Sequence, residues 1–304
     1  MLNDKLKNYF HLHFLVFIAG FTAVLGKIIT IDAVSLVWYR MVIATVLMLI
    51  YIKILKVDIA VDSKTLFKFS VAGIIIALHW ITFFAAIDVS NISIALAMFS
   101  TGAFFASFIE PIIYKRKIIW YEILFGIIVI LGVVVILQAE IKHISGVLLG
   151  ILSAFLSSLF AVLNGKFLER DSATKISFYE FIAGVIFISL YILIVDNGFS
   201  IKYFQLSIAD LSYLLILASI CTAYAFIASV HVMKQISPYT VVLTYNLEPI
   251  YGVILALILF PQSETMTSSF YYGAILILTT VLLNGILRNS KAFINKNTQN
   301  QKIV

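Results

Sequence analysis

Long apolar stretches alternate with short polar joints along the whole chain. Ten stretches hold about 20 mostly apolar residues, the length that crosses the hydrocarbon core of a bilayer as an α-helix. They cover 11–30, 33–55, 67–88, 91–114, 118–138, 146–167, 174–195, 208–230, 238–260 and 267–288. The joints leave no room for a separate soluble domain. The pattern predicts an all-α membrane protein of ten transmembrane helices. A polar N-terminus (1–10) precedes a first set of five helices (11–138), a second set of five follows (146–288), and a polar, disordered tail closes the chain (289–304). The first apolar run is too long for a signal-peptide core and no small-x-small cleavage site follows it, so it is read as the first membrane helix.

Composition agrees with the pattern. Apolar residues make up 62% of the chain and charged ones 12%, with a mean hydropathy of +1.08. Soluble domains hold roughly 45–50% and about 25%. The net charge of +6 and pI near 9.2 do not point to nucleic acid. That reading needs a basic face, whereas the cations here lie in short runs between apolar segments, such as Lys115-Arg116-Lys117. The single cysteine, Cys221, forms no intramolecular disulfide, and no Cys/His spacing for a metal occurs, so neither metal nor cofactor is expected.

Charge also sets orientation. Seventeen lysines and arginines fall on the side of the N-terminus, from Lys5 to Lys302, whereas Lys142 and Lys202 stand on the other side and Lys27 and Arg40 within helix ends. The positive-inside rule places both termini in the cytoplasm, in a bacterial-type cytoplasmic (inner) membrane.

The two sets of helices echo each other. Val24-Leu25-Gly26-Lys27 parallels Leu163-Asn164-Gly165-Lys166, Trp38-Tyr39-Arg40 parallels Phe178-Tyr179-Glu180, and the run from Gly126 parallels the run from Gly273, at offsets of 139, 140 and 147. Five helices per set is an odd number, so the second set enters from the opposite side. The expected architecture is two inverted five-helix repeats, with a substrate site near the midplane between them.

At these residues the chain resembles the drug/metabolite transporter superfamily, EamA-type domain family. The likeness covers about residues 11–288. It rests on the Gly-Lys endings, Arg40, the segment Leu243-Thr244-Tyr245-Asn246-Leu247-Glu248-Pro249, Tyr251-Gly252 and the Gly273 helix. The family's proline in helix 9 matches Pro249, and its counterpart in helix 4 is replaced near Ala103. The resemblance implies a carrier that moves small metabolites by alternating access, often outward. It names no solute.

Ionisable groups inside membrane helices cost roughly 2.5–3.5 kcal/mol on insertion scales, so each calls for a role or a partner. Glu248 falls about 15 Å into helix 9, near mid-bilayer. Thr240 and Thr244 share its face, Tyr245 and Asn246 lie at its level, and Pro249 predicts a kink. This is either a substrate or proton site beside a broken helix, or a buried carboxyl that pins helix 9 to a neighbour. His79 lies at similar depth in helix 3, with Trp80 beside it and Thr82 on its face. It could relay protons or bind a carboxylate, or simply pack. Ser93, Ser100 and Ser107 in helix 4, and Ser153, Ser157 and Asn164 in helix 6, form small polar stripes that either line a cavity or let helices pack closely. Lys27 and Lys166 fit interface snorkelling or gating. Arg40, about 10 Å below the outer face, is expected to pair with an acid or with carbonyls, and Glu110 and Glu180 to form ion pairs.

The expected function is a secondary transporter, an exporter of a small organic metabolite such as an amino acid. No Walker A motif is present to bind ATP. The alternatives are a membrane channel, for which no filter-like loop is evident, and an intramembrane enzyme, for which no aspartate pair or nucleophile–base pair is evident. The expected partners are the metabolite and the lipid bilayer, and the sequence leaves room for a homodimer.

Overall fold

The computed structural model describes residues 4–115, 117, 120–195, 198–233, 244, 245 and 247–301, and every regular element among them is helical. In chain order these are α1 (Asp4–Ile28), α2 (Ala33–Leu55), α3 (Ser63–Val89), α4 (Ile92–Phe99), α5 (Gly102–Tyr114), α6 (Trp120–Ala139), α7 (Ile144–Phe167), α8 (Ala173–Val195), α9 (Ile208–Ala218), α10 (Ala225–Met233), α11 (Glu248–Leu259), α12 (Pro261–Glu264) and α13 (Ser268–Gln301). A π-helical turn, Ser219–Tyr224, joins α9 to α10. Eight stretches among the described residues are long and apolar enough to span a membrane, with α4 and α5 together making one of them. Two shorter apolar helices follow, Glu248–Leu259 and Ser268–Asn284. Isoleucines such as Ile54, Ile112, Ile194 and Ile208 lie exposed on the outside of the bundle, which only lipid accepts at this density. The protein is a membrane protein.

Local chemistry sets the helix starts. Asp32 accepts from the Val34 and Ser35 N–H groups, Asp62 from Lys64 and Thr65, Asn91 from Ile94, and Ser207 from Asp210. Each satisfies N–H groups that the first helical turn leaves without a partner.

Three features differ from the sequence reading. Helix 4 is not continuous: α4 stops at Phe99, Ser100 and Thr101 form a turn, and α5 starts at Gly102. The Ser100 and Thr101 hydroxyls donate back to the Ala97 and Met98 carbonyls and so compete with the helical ladder. The N-terminal helix starts at Asp4 rather than near residue 11, and α13 runs on through Gln301 where a disordered tail was expected. Neither 4–10 nor 289–301 contains a glycine or proline to stop a helix.

The helices pack α1 on α11, α2 on α8 and α9, α3 on α7 and α8, α4 on α7 and α11, α5 on α7, and α6 on α13. Glycines allow the closest crossings. A Cβ on Gly73 would strike the Glu180 backbone, 2.9 Å from its Cα and closer still to its carbonyl oxygen. A Cβ on Gly20 would lie 2.9 Å from the Gly252 nitrogen and 3.0 Å from the Glu248 carbonyl oxygen. Lipid offers no hydrophobic drive between helices, so such backbone contact is a main source of cohesion.

Gly73→Ala should therefore destabilise the bundle by about 1–3 kcal/mol, the usual penalty of overpacking. The expected result is a lower melting temperature in detergent and less folded protein. Unchanged melting would contradict the close α3–α8 crossing.

Candidate functional site

The interior holds a cation. Arg40, on α2, is only 4% exposed. Its Nε donates to Thr222 Oγ1 at 2.7 Å. Its Cζ lies 3.8 Å from the centroid of the Trp80 ring and 5.8 Å from that of Phe84, both on α3. Stacking on an aromatic face suits a guanidinium better than an ammonium, because the group is planar and weakly hydrated. Thr222 occupies the π-helical turn and also donates to the Leu217 carbonyl at 2.8 Å. Such turns leave carbonyls without their regular partner and recur at functional sites.

An acid faces this cation. Glu248 opens α11 and interacts electrostatically with Arg40, and no ion pair joins them among the described residues. Glu248 is half-buried. Leu247 forms a turn before α11, and Pro249 lies in the helix's first turn, where its missing N–H leaves nothing unpaired. Pro249 thus marks a restart of the helix rather than a kink within it. Cys221 is next to Thr222 and within electrostatic reach of Arg40. The structure therefore brings Trp80 of α3, Thr222 of the π-helical turn and Glu248 of α11 to Arg40.

Other expected site residues lie apart or turn away. His79 Nδ1 is 2.9 Å from Ser153 Oγ and 3.0 Å from the Ser153 carbonyl oxygen, and Ser153 Oγ donates to the His79 carbonyl at 3.2 Å. With the serine hydrogen used in this way, Nδ1–H is the donor to the Ser153 carbonyl, an assignment made from the network. The ring stacks on Phe99 with centroids 5.5 Å apart. The Thr82 hydroxyl turns back onto the Leu78 and His79 carbonyls, and Ser100 onto Ala97. Thr244 and Tyr245 are helical and half-buried, each with a partner. Thr240 and Asn246 lie outside the described residues. Lys27 is half-buried within electrostatic reach of Asp88. Lys166 pairs with Glu169 at 3.0 Å and lies 5.0 Å over the Tyr114 ring.

Two expectations about pairing fail. Arg40 takes a neutral hydroxyl and an aromatic face in place of an acid or carbonyl. Glu180, with no exposed surface, accepts from Asn164 Nδ2 at 2.8 Å and forms no ion pair among the described residues. Glu248 acts on Arg40 without a direct ion pair, and no cation acts on Glu180 among the described residues. Sequence reasoning also passed over Thr222, which sits in an apolar run where only the π-helical turn aims its hydroxyl inward. It passed over Glu140 and Glu264 as well. Glu140 accepts from the Thr267 N–H and hydroxyl, and Glu264 from the Ile92 and Ser93 N–H groups and the Ser93 hydroxyl. A carboxylate just outside an apolar run, facing a helix start, was the available signal.

The model of the EamA-like transporter family matches this chain twice, over residues 8–138 and 144–286. Among solved structures, the crystal structure of one protein superposes with a TM-score of 0.63 at 12% identity, over 93% of this chain and 99% of the other. At that identity the likeness is one of fold alone. No curated protein matches.

Replacing His79 by alanine should remove the α3–α7 tether and lower thermal stability by about 2 kcal/mol or more, from the lost hydrogen bond and the cavity left behind. Thr82→Ala, which loses only hydroxyl contacts to its own helix, should stay within about 0.5 kcal/mol. Thermal melts of the two variants in one detergent check this; equal melting would contradict it.

Proposed function

The chain belongs to the EamA-like transporter family, and from that premise we propose that it is a secondary carrier that exports a small organic metabolite, such as an amino acid, by alternating access. One observation carries the reading: helix 4 and helix 9 are both interrupted, α5 starting at Gly102 and α11 at Glu248, the latter within electrostatic reach of Arg40. Discontinuous helices in the corresponding spans of two halves are how many carriers build a midplane site. Irregular backbone at that depth is tolerated where it lines a cavity.

The finer architecture is ten helices in two inverted repeats, 11–138 and 146–288. It is supported by packing that reproduces itself when the halves are exchanged. The α1–α11 contact corresponds to that of α4 and α5 on α7, and α3–α8 to α2–α9. The contacts α2–α8, α4–α11 and α6–α13 correspond to themselves. Tyr39 donates its hydroxyl to the Tyr203 carbonyl at 2.9 Å, and Tyr179, its counterpart, donates to the Ile59 carbonyl at 2.8 Å. On the α6–α13 contact, Gly132 faces Ile277 and the Gly273 carbonyl, and Gly273 faces Ile136 and the Gly132 carbonyl. That reciprocity pairs Gly132 with Gly273 at an offset of 141, in place of the Gly126–Gly273 pairing read from sequence, and removes most of the drift between offsets.

In this reading Glu248, Arg40 and Trp80 meet the solute. His79, Thr82 and Ser100 hold the walls, and Lys27 and Lys166 sit at the helix ends. Thr240, Thr244, Tyr245 and Asn246 belong to the lead-in to Glu248. Both termini are cytoplasmic in an inner membrane, and a homodimer would leave each site complete within one chain.

The test is solute flux by purified protein in liposomes. Counterflow should saturate, and Glu248→Gln should reduce it at least tenfold or abolish its pH dependence while the melting temperature is retained. Wild-type flux and pH profile in that variant would leave Glu248 a structural residue. Single-channel current would contradict the carrier. Orientation is tested by cysteines introduced into a Cys221→Ser background: Lys64→Cys and Lys117→Cys should label only from the cytoplasm, and Lys202→Cys only from outside.

A further inference from the structure

Arg40 leaves part of its hydrogen-bonding unused. Nε is held by Thr222 and one face of the guanidinium lies on Trp80. Nη1 is enclosed by protein and has no hydrogen-bond partner. A buried charged donor without an acceptor is among the more costly arrangements a protein can keep, and it is relieved only by an acceptor that arrives. The hydroxyl of Thr222 is neutral and already committed. Glu248 balances the charge from a distance without making a contact. Trp80 itself packs on Phe181 with centroids 5.7 Å apart and on Phe226 at 6.4 Å.

We infer that Arg40 is the anchor for an anionic group on the transported solute, an oxyanion and most simply a carboxylate carried on an apolar body. This rests on the carrier reading above and adds the chemical class that the site selects. The planar fork offers its Nη1 edge to the oxyanion, an arrangement for which arginine is suited and lysine is not. The Trp80 ring and Thr222 fix the plane of the fork before the solute arrives, so little ordering is left for binding to supply. The aromatic walls accept the apolar body. Glu248, within electrostatic reach of Arg40, attracts a cationic group on the same solute and, when ionised, opposes a second anionic group there. The expected solute therefore carries one carboxylate rather than two.

The experiment follows Trp80, which lies against the anchoring group and reports on it. Protein in phosphatidylcholine nanodiscs, free of anionic lipid, is titrated with L-phenylalanine, 3-phenylpropionate, benzoate, L-phenylalaninamide, phenylsuccinate and inorganic phosphate while tryptophan emission is read. Trp80→Phe serves as the control that loses the signal. At least one monocarboxylate should give a saturable change, with phenylalaninamide and the dicarboxylate at least tenfold weaker. Arg40→Lys should weaken the monocarboxylate on the order of tenfold, and Arg40→Gln more. Amide binding as tight as the acid, or wild-type affinity in Arg40→Gln, would overturn the assignment, as would the absence of any carboxylate response. Tighter phosphate than carboxylate binding, or binding that appears only when anionic lipid is added, would also overturn it. The acid–amide comparison uses the wild-type protein and so stands even if the variants fail to fold. Saturable flux of solutes without a carboxylate would sink the anchor and keep the carrier. Carboxylate binding at Trp80 with no flux of that solute would do the reverse.

Discussion

A guanidinium inside an apolar bundle cannot be left to lipid, and the arrangement around Arg40 answers that constraint from several helices at once. Stacking on Trp80 supplies a polarisable face and Thr222 an acceptor, and Glu248 opposes the charge. The last two depend on irregularities of the backbone. The π-helical turn turns Thr222 inward, the turn at Leu247 brings Glu248 to the start of α11, and the Gly20–Gly252 crossing lets α11 approach α1 closely. Regular helices with ordinary side chains at their crossings would hold these groups too far apart. The departures from ideal helix geometry thus gather where the charge is.

The two ends of the bundle are built differently. At the end opposite the basic loops, buried carboxylates tie one half of the chain to the other. Asp210 accepts from the Thr30 N–H and hydroxyl, Glu140 from Thr267, and Glu264 from the first turn of α4. At the basic end the ion pairs differ in exposure: Lys166–Glu169 is exposed on both sides, Asp58 is exposed where Lys175 reaches it, and Lys175–Asp171 is half-buried. Buried, multiply bonded carboxylates hold firmly and exposed pairs contribute little.

Much of this was legible in the sequence. Length and hydropathy placed the eight long spans to within a few residues. Arg40 and Glu248 stood out because a charge in an apolar run is rare. What was hidden depends on three-dimensional competition. Ser100 and Thr101 look like small packing residues until their hydroxyls take the carbonyls of α4, and Thr222 is an unremarked polar residue until the helix widens around it. The Arg40 partner could not be read because cation–π stacking leaves no trace in spacing. Helical extension through 289–301 is hard to read because polar composition is shared by disordered tails and exposed helices, and only the lack of a helix breaker tells them apart.

Cys221, the chain's only cysteine, adjoins Thr222 in the π-helical turn and is 6% exposed, so it reports on access to the Arg40 site without any substitution. The most direct measurement is its alkylation rate by a membrane-impermeant thiol reagent, added in turn to each side of sealed vesicles of uniform orientation. A carrier that exposes this site alternately predicts modification from both sides, slowed by a transported solute. Modification from neither side, or from one side only under all solute conditions, would contradict it.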